Sequence, residues 1–173
     1  MPDATGLELL AQRVRTALGD EAVTDTEYAR ERATLGVAPA AVRDVLAYLR
    51  DDDEEPWTSL MSVHGVDYLP EEPRLGVHYE LLSMERTDRL CVRTRIGVDE
   101  AQVPTVVDLF PTADYQEREV YDMFGVVFGG HPDMRRILMP EDYVGFPQRR
   151  DYPIGGEPVI YTYNENLIPR WYE

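Results

Sequence analysis

The side chains in this sequence best suited to chemistry are three histidines, a lone cysteine, a short run of acids and two arginine pairs. Glu117, Glu119 and Asp122 lie close enough in sequence to form an acid–base group that relays protons. Near a helix start, the same acids would simply satisfy free N–H groups and the helix dipole. His131, which precedes Pro132, could ligate a metal or carry a proton, and equally could hold a turn. Arg135-Arg136 and Arg149-Arg150 could bind phosphate or lipid headgroups. Their neighbours Asp133, Glu141, Asp142 and Asp151 offer salt bridges instead. His64, His78 and His131 are too scattered for a recognisable metal motif. Cys91 has no second cysteine to form a disulfide, hold a cluster or resolve a redox step. Gly129-Gly130 and Gly155-Gly156 precede His-Pro and Glu-Pro rather than a helix, so neither is a nucleotide loop. In each case the structural role is the simpler one.

The elements that would position these residues are legible in part. Leu7, Leu10, Val14 and Leu18 fall on one helical stripe, and Gly19 is placed to end it. Weak alternation at Ala33, Leu35 and Val37 predicts a first strand after a loose stretch. Pro39 opens a second helix, with Val42, Val45, Leu46 and Leu49 as its apolar face. The acidic run Asp51-Asp52-Asp53-Glu54-Glu55 and Pro56 close it as a solvated loop.

From Trp57 to Ile96 the period is two. Leu60 and Val63 mark one strand, Val77, Tyr79 and Leu81 a second, and Leu90, Val92, Thr94 and Ile96 a third. A turn at Glu85-Arg86-Thr87-Asp88 would pair Tyr79 with Thr94, Leu81 with Val92 and Glu80 with Arg93. Asp114 then predicts an N-cap, with Glu117 three residues on as in a capping box. Val120 and Phe124 share a face, and Gly125 would be the C-cap.

After Gly125, glycine and proline recur too often for long helices or central strands. The same stretch holds Phe128, Ile137, Leu138, Met139, Tyr143, Phe146, Tyr152, Ile160, Tyr161, Tyr163 and Trp171. So much apolar surface on an extended segment predicts an arm that wraps a partner. The expected architecture is α+β: a mainly antiparallel sheet of about four strands with helices packed on it, over residues 1–125. A Pro-rich extended C-terminal arm would follow over 126–173.

With 33 acids against 17 basic residues, the formal net charge over 173 residues is -16, and every basic residue is Arg. Such a field disfavours nucleic acid and anionic lipid as direct partners. No apolar run approaches the roughly 20 residues of a membrane span, and the first residues carry no secretory pattern. The expected compartment is the cytoplasm.

The run Glu117-Arg118-Glu119-Val120-Tyr121-Asp122-Met123-Phe124-Gly125-Val126 resembles a known pattern. So does Gly130-His131-Pro132-Asp133-Met134-Arg135-Arg136-Ile137-Leu138-Met139-Pro140-Glu141-Asp142. Both look like the signature of the C-subunit family of respiratory NADH–quinone oxidoreductase (complex I). Gly145-Phe146-Pro147-Gln148-Arg149-Arg150-Asp151-Tyr152-Pro153 resembles that family's closing motif. Gly65-Val66-Asp67-Tyr68, His78-Tyr79-Glu80-Leu81-Leu82-Ser83 and Pro104-Thr105-Val106-Val107-Asp108-Leu109 match upstream in the same order. Phe110, Tyr115 and Tyr143 stand where the family usually has Trp, and Gln148 where it has Leu.

The resemblance implies a peripheral-arm subunit on the cytoplasmic face of the membrane, associated with it only through neighbours. It implies no catalytic, cofactor-binding or metal-binding residue in this chain. NADH, FMN, iron–sulfur clusters and quinone would belong to the assembled complex, a proton-translocating enzyme. Partners would be the quinone-site D-subunit and the iron–sulfur B- and I-subunits, with no nucleic acid. The motif residues Glu117, Arg118, Glu119, Tyr121, Asp122, Gly125, His131, Pro132, Arg135, Arg136, Pro140, Arg149, Arg150, Asp151, Tyr152 and Pro153 would orient the arm and form intersubunit contacts. The equivalent component of a membrane-bound hydrogenase or coenzyme-linked dehydrogenase would carry the same module with another electron donor.

Overall fold

A computed structural model describes residues 3–153. The apolar positions Ile160, Tyr161, Tyr163 and Trp171 lie outside the described residues. Helix α1 spans Ala4–Leu18, with Asp3 at its N-cap accepting the Gly6 N–H at 2.7 Å. Its buried stripe is Leu7, Leu10, Ala11 and Val14. Gly19, at φ 102°, ends it by donating its N–H to the Arg15 carbonyl. After a single 3-10 turn come strands β1 (Val23–Ala29) and β2 (Arg32–Val37), joined through Arg30 and Glu31 in left-handed conformation. A second 3-10 turn leads into α2 (Val42–Arg50), which buries Val42, Val45, Leu46 and Leu49. The acidic loop after it folds back on α1. Asp52 accepts the Glu54 and Glu55 N–H groups at 2.9 Å and pairs with Arg13.

Strands β3 (Ser59–Asp67), β4 (Leu75–Ser83) and β5 (Asp88–Ile96) complete a five-stranded sheet of order β1-β2-β5-β4-β3. Only β2 and β5 run parallel; the other neighbours are antiparallel. Short strands β6 (Gln102–Pro104) and β7 (Val127–Gly129) form a separate parallel ladder around helix α3 (Ala113–Phe124). The α+β class and the mainly antiparallel sheet are as expected, with five main-sheet strands in place of about four. The additional one is β1. Six of its seven residues lie outside the core, so it shows no apolar alternation.

The β4–β5 hairpin sits one step earlier than the sequence suggested. Tyr79 pairs with Val92, Leu81 with Leu90 and Glu80 with Cys91. Ser83 pairs with Asp88, so the turn is Met84–Thr87, with Thr87 in left-handed conformation at φ 56°. Moving the turn by one residue slips the partner by two, which preserves the facing of every side chain. Both registers therefore satisfy the same apolar pattern, and turn geometry decides between them.

The β3 edge is closed by α3 rather than by another strand. The Gln116 side chain accepts the Val63 N–H at 2.5 Å, and the Thr112 hydroxyl donates to the Leu60 carbonyl at 3.4 Å. Gly65 gives Phe124 its seat, since a Cβ there would drive into the ring. Gly65→Ala should cost about 1–3 kcal/mol by overpacking. Gly97→Ala, where a Cβ meets nothing within 4 Å, should stay within about 0.5 kcal/mol of wild type. Urea denaturation of both variants checks the contrast.

Candidate functional site

The motif residues gather on α3 and on the segment that follows it. The helix starts at Ala113 after Thr112, two residues earlier than an Asp114 cap would allow. Asp114 therefore sits in the first turn, and Glu117 is free to face the interior instead of the cap. At the other end Gly125, at φ 76°, is the C-cap as expected, its N–H bonded to the Tyr121 carbonyl.

Glu117, Glu119 and Asp122 do not form one acidic group. Glu119 is exposed, while Glu117 and Asp122 are buried. Five residues separate these two, which puts them about 140° apart around the helix. Glu117 turns towards the loop after β6. It accepts the Thr105 hydroxyl at 2.5 Å and the Val106 N–H at 2.8 Å. Burial pushes its pKa up to about 7, against the lowering effect of those two bonds. His131 Nε2 lies 3.2 Å from the Asp114 carbonyl and 4.0 Å from the Glu117 carboxyl. His131 Nδ1 accepts the Asp133 N–H at 3.0 Å, which assigns the proton to Nε2 in the neutral ring. Here His131 holds a turn.

Asp122 turns the other way and binds the backbone of the following segment. One of its oxygens accepts the N–H groups of Ile137, Leu138 and Met139 at 3.0, 2.7 and 2.8 Å. The other accepts Arg136 Nη1 at 2.6 Å. Burial works to raise the Asp122 pKa, but the Met139 N–H, Arg136 and the other two N–H groups outweigh it and hold it low. Arg136 also donates to the Asp122 and Gly145 carbonyls. Arg118 reaches the Arg135 and Arg136 carbonyls, and Arg135 pairs with Asp133 at 2.7 Å.

A second anchor holds residues 145–153. Arg74 donates to Asp67 at 2.9 and 2.6 Å and to Asp151 at 2.8 and 2.7 Å. These bonds keep Asp67 far below the usual carboxylate range. Asp67 also accepts the Arg150 N–H at 2.7 Å, and Arg150 donates to the Leu69 carbonyl. Arg149 donates to the Phe124 carbonyl at 2.6 Å, with its guanidinium 4.5 Å from the Phe146 ring centre. The Tyr143 and Tyr152 hydroxyls bond to each other. Pro132, Pro140 and Pro153 are exposed, and the Pro140 carbonyl accepts the Tyr143 N–H. Sequence reasoning missed Arg74, which carries no local signal beyond being an arginine in a proline-rich turn. Its partner Asp67 lay within a recognised motif without an assigned role.

The remaining candidates sit elsewhere. Cys91 lies on the β5 face that also carries Arg93 and Arg95 and is buried there, 3.4 Å from His78 Nδ1. Burial pushes its thiol up to about 12, so it is not a ready nucleophile. His78 bonds the Tyr68 hydroxyl at 2.8 Å and stands 5.1 Å from the His64 ring. Burial pushes its pKa down to about 4. Among the described residues no three His, Cys, Asp or Glu side chains are arranged to hold a metal ion. None of their helices is long and apolar enough to cross a membrane.

Fold and site together define an α+β protein whose motif-bearing side chains hold the segment after α3 against that helix and the sheet. Residues 35–158 match the family described as respiratory-chain NADH dehydrogenase, 30 kDa subunit, and the chain belongs to that family. It is 44% identical over 170 residues to the NADH-quinone oxidoreductase C-subunit of Roseiflexus sp. (strain RS-1), covering 97% of this chain and 94% of that one. It is 48% identical over 142 residues to the C-subunit of Saccharopolyspora erythraea, covering 82% and 57% of the two chains. Among solved structures it resembles the trypsin-resistant fragment (1-134) of Nqo5, with TM-score 0.59 and 29% identity over 72% of this chain and 98% of that one. A chain of the membrane-bound sulfane sulfur reductase, an archaeal respiratory membrane complex, matches with TM-score 0.69 and 28% identity over 87% and 86%.

Two outcomes test the site. Asp122→Ala leaves three N–H groups and Arg136 without their acceptor and should cost about 3–5 kcal/mol, against about 0.5 or less for exposed Glu119→Ala. Glu117 has a folded pKa raised from 4.5 to about 7, so its contribution is full below pH 4.5 and lost as pH rises through 7. Wild type should lose on the order of 3 kcal/mol more than Glu117→Gln across that window. Urea midpoints at both ends measure it, and parallel curves would mean that Glu117 ionises normally.

Proposed function

We propose that this chain is a non-catalytic subunit of the peripheral arm of the proton-translocating NADH–quinone oxidoreductase. In this role it docks the quinone-site D-subunit and the iron–sulfur B- and I-subunits, so that electrons pass from NADH to quinone through centres its neighbours hold. NADH, FMN, the clusters and quinone belong to the assembled complex. The chain sits on the cytoplasmic face of the cell membrane, attached through its partners.

The observation that carries the proposal is the use of the family's charged motif inside the chain. Glu117, Arg118, Asp122, Arg136, Arg149, Arg150 and Asp151 are all engaged in fixing the chain's own backbone or loops. A subunit that sets distances between redox centres held by others needs that rigidity. The exposed Leu138 and Val144 on the same segment offer apolar area to a neighbour. A second reading has one specific support, the likeness to the sulfane sulfur reductase chain: the same module serving a complex with another electron donor. The 44% identity over 97% of the chain favours the first.

Replacing Arg149 and Arg150 together with Ala should lower the amount of assembled complex at least several-fold, while turnover per assembled complex stays near wild type. Native gels of detergent-solubilised membranes with NADH–quinone assays measure both. Full assembly with dead turnover would overturn the structural role, and recovery with a different donor activity would favour the sister complex.

A further inference from the structure

The two anchors of the segment after α3 differ in kind. After Phe128 no described apolar residue is a full member of the core, and Met134 and Met139 only rest against it. Residues 129–153 are thus held largely by polar contacts to the body. The inner anchor is sealed, with the Asp122 side chain 0% and Arg136 13% exposed. The outer anchor is sealed on one side only. Asp67 is 2% exposed and Arg74 9%, whereas Asp151 is 55% exposed.

Arg74 presents two edges of its guanidinium. Nε and Nη2 face Asp67, which also accepts the Leu69 N–H at 3.0 Å and belongs to the body. Nη1 and Nη2 face Asp151, which arrives from 77 residues away. The other polar fasteners of residues 145–153 are single bonds: Arg136 to the Gly145 carbonyl, Gln148 N–H to the Met123 carbonyl, Arg149 to the Phe124 carbonyl, Arg150 to Asp67 and Leu69, and Tyr152 to the Tyr143 hydroxyl. Lifting the segment breaks these one by one, but it also leaves one edge of a buried guanidinium empty, which is costly. An incoming carboxylate removes that cost, because its two oxygens match the same planar edge.

We propose that residues 145–153 are a releasable strap, and that a carboxylate of a neighbouring subunit takes the seat on Arg74 that Asp151 occupies in the closed form. The neighbour rests on the assignment to the complex proposed above; the strap itself rests on the contacts within this chain. Release would free residues 145–153 together while Asp122 keeps residues 136–139 in place. The segment would then change partners at its far end without unravelling from α3.

Amide hydrogen exchange on the full chain separates the two anchors. Asp151→Asn, which keeps the side-chain size and loses the charge, should speed exchange at residues 148–152 about tenfold and leave 137–139 unchanged. Hexaglutamate peptide should speed exchange at 148–152 in wild type beyond sodium chloride at matched ionic strength. Unchanged exchange in Asp151→Asn, or an equal rise at 137–139, would overturn the strap. A peptide no more effective than salt would overturn carboxylate exchange. Both readouts use the chain alone, so a failure to co-purify with redox subunits would count against the assignment to the complex and not against the strap.

Discussion

The segment that follows α3 depends on one buried carboxylate. Asp122 lies on the last turn of α3 and gathers three successive backbone N–H groups and a guanidinium from residues 136–139. A bare carboxylate in that position would be expelled to water or protonated. With four donors it is instead held ionised, and the stretch that supplies them is forced into one conformation. The geometry runs both ways: α3 must end near Gly125 for Asp122 to face the returning chain, and the returning chain must bend at Pro140 for the Tyr143 turn to follow. Apolar burial contributes little there, so the order of residues 129–153 is an electrostatic and hydrogen-bonding matter to a degree that the order of the sheet is not.

The body follows the opposite rule. Its core runs from Leu7 and Val14 of α1 through Leu35, Val37, Tyr79 and Val92 of the sheet to Val120 and Phe124 of α3. Gly65 is where the two regimes meet, since its missing side chain lets Phe124 close the β3 edge. Once α3 is seated on that edge, Glu117 reaches Thr105 and Val106 on one side and Asp122 reaches the arm on the other. One helix thereby fixes both the loop before it and the segment after it.

What could be read from the sequence divides along the same line. Positions governed by apolar periodicity were legible: α1, α2, β2, β4, β5 and the caps at Gly19 and Gly125. Strand β1 escaped because an edge strand facing solvent on both sides has no alternation to show. The hairpin register slipped by two because facing is blind to even shifts. Asp114 falls inside the first turn because α3 begins after Thr112, whose hydroxyl bonds the Leu60 carbonyl of β3 and makes no side-chain cap. Within the site, Asp122 and the arginine pairs stood out by type, but their partners are separated by 14 to 17 residues for Asp122 and 77 for Arg74. No local pattern records a separation of that size. The helical spacing of Glu117 and Asp122 did contain the information that they point apart, but their closeness in sequence obscured it.

The absence of lysine gains a structural meaning in this setting. With 33 acids and 17 arginines, the cations are outnumbered almost two to one. A guanidinium can serve two acceptors at once along different edges, whereas an ammonium acts as a point charge. The chain uses that capacity repeatedly. Arg74 bridges Asp67 and Asp151, Arg93 bridges Asp25 and Glu27, and Arg13 bridges Asp52 and Glu55. Arg136 joins Asp122 to the Gly145 carbonyl, and Arg50 joins Asp51 to the Leu109 carbonyl. Each of these forks ties together two acceptors, and Arg74, Arg136 and Arg50 in particular tie segments far apart in sequence. Whatever favoured arginine in this chain, a lysine at Arg74 or Arg136 would keep the charge and lose the second connection. The strongly acidic composition and the ordered polar segment are therefore linked: cations are few, and those at the two anchors, Arg74 and Arg136, each serve two acceptors.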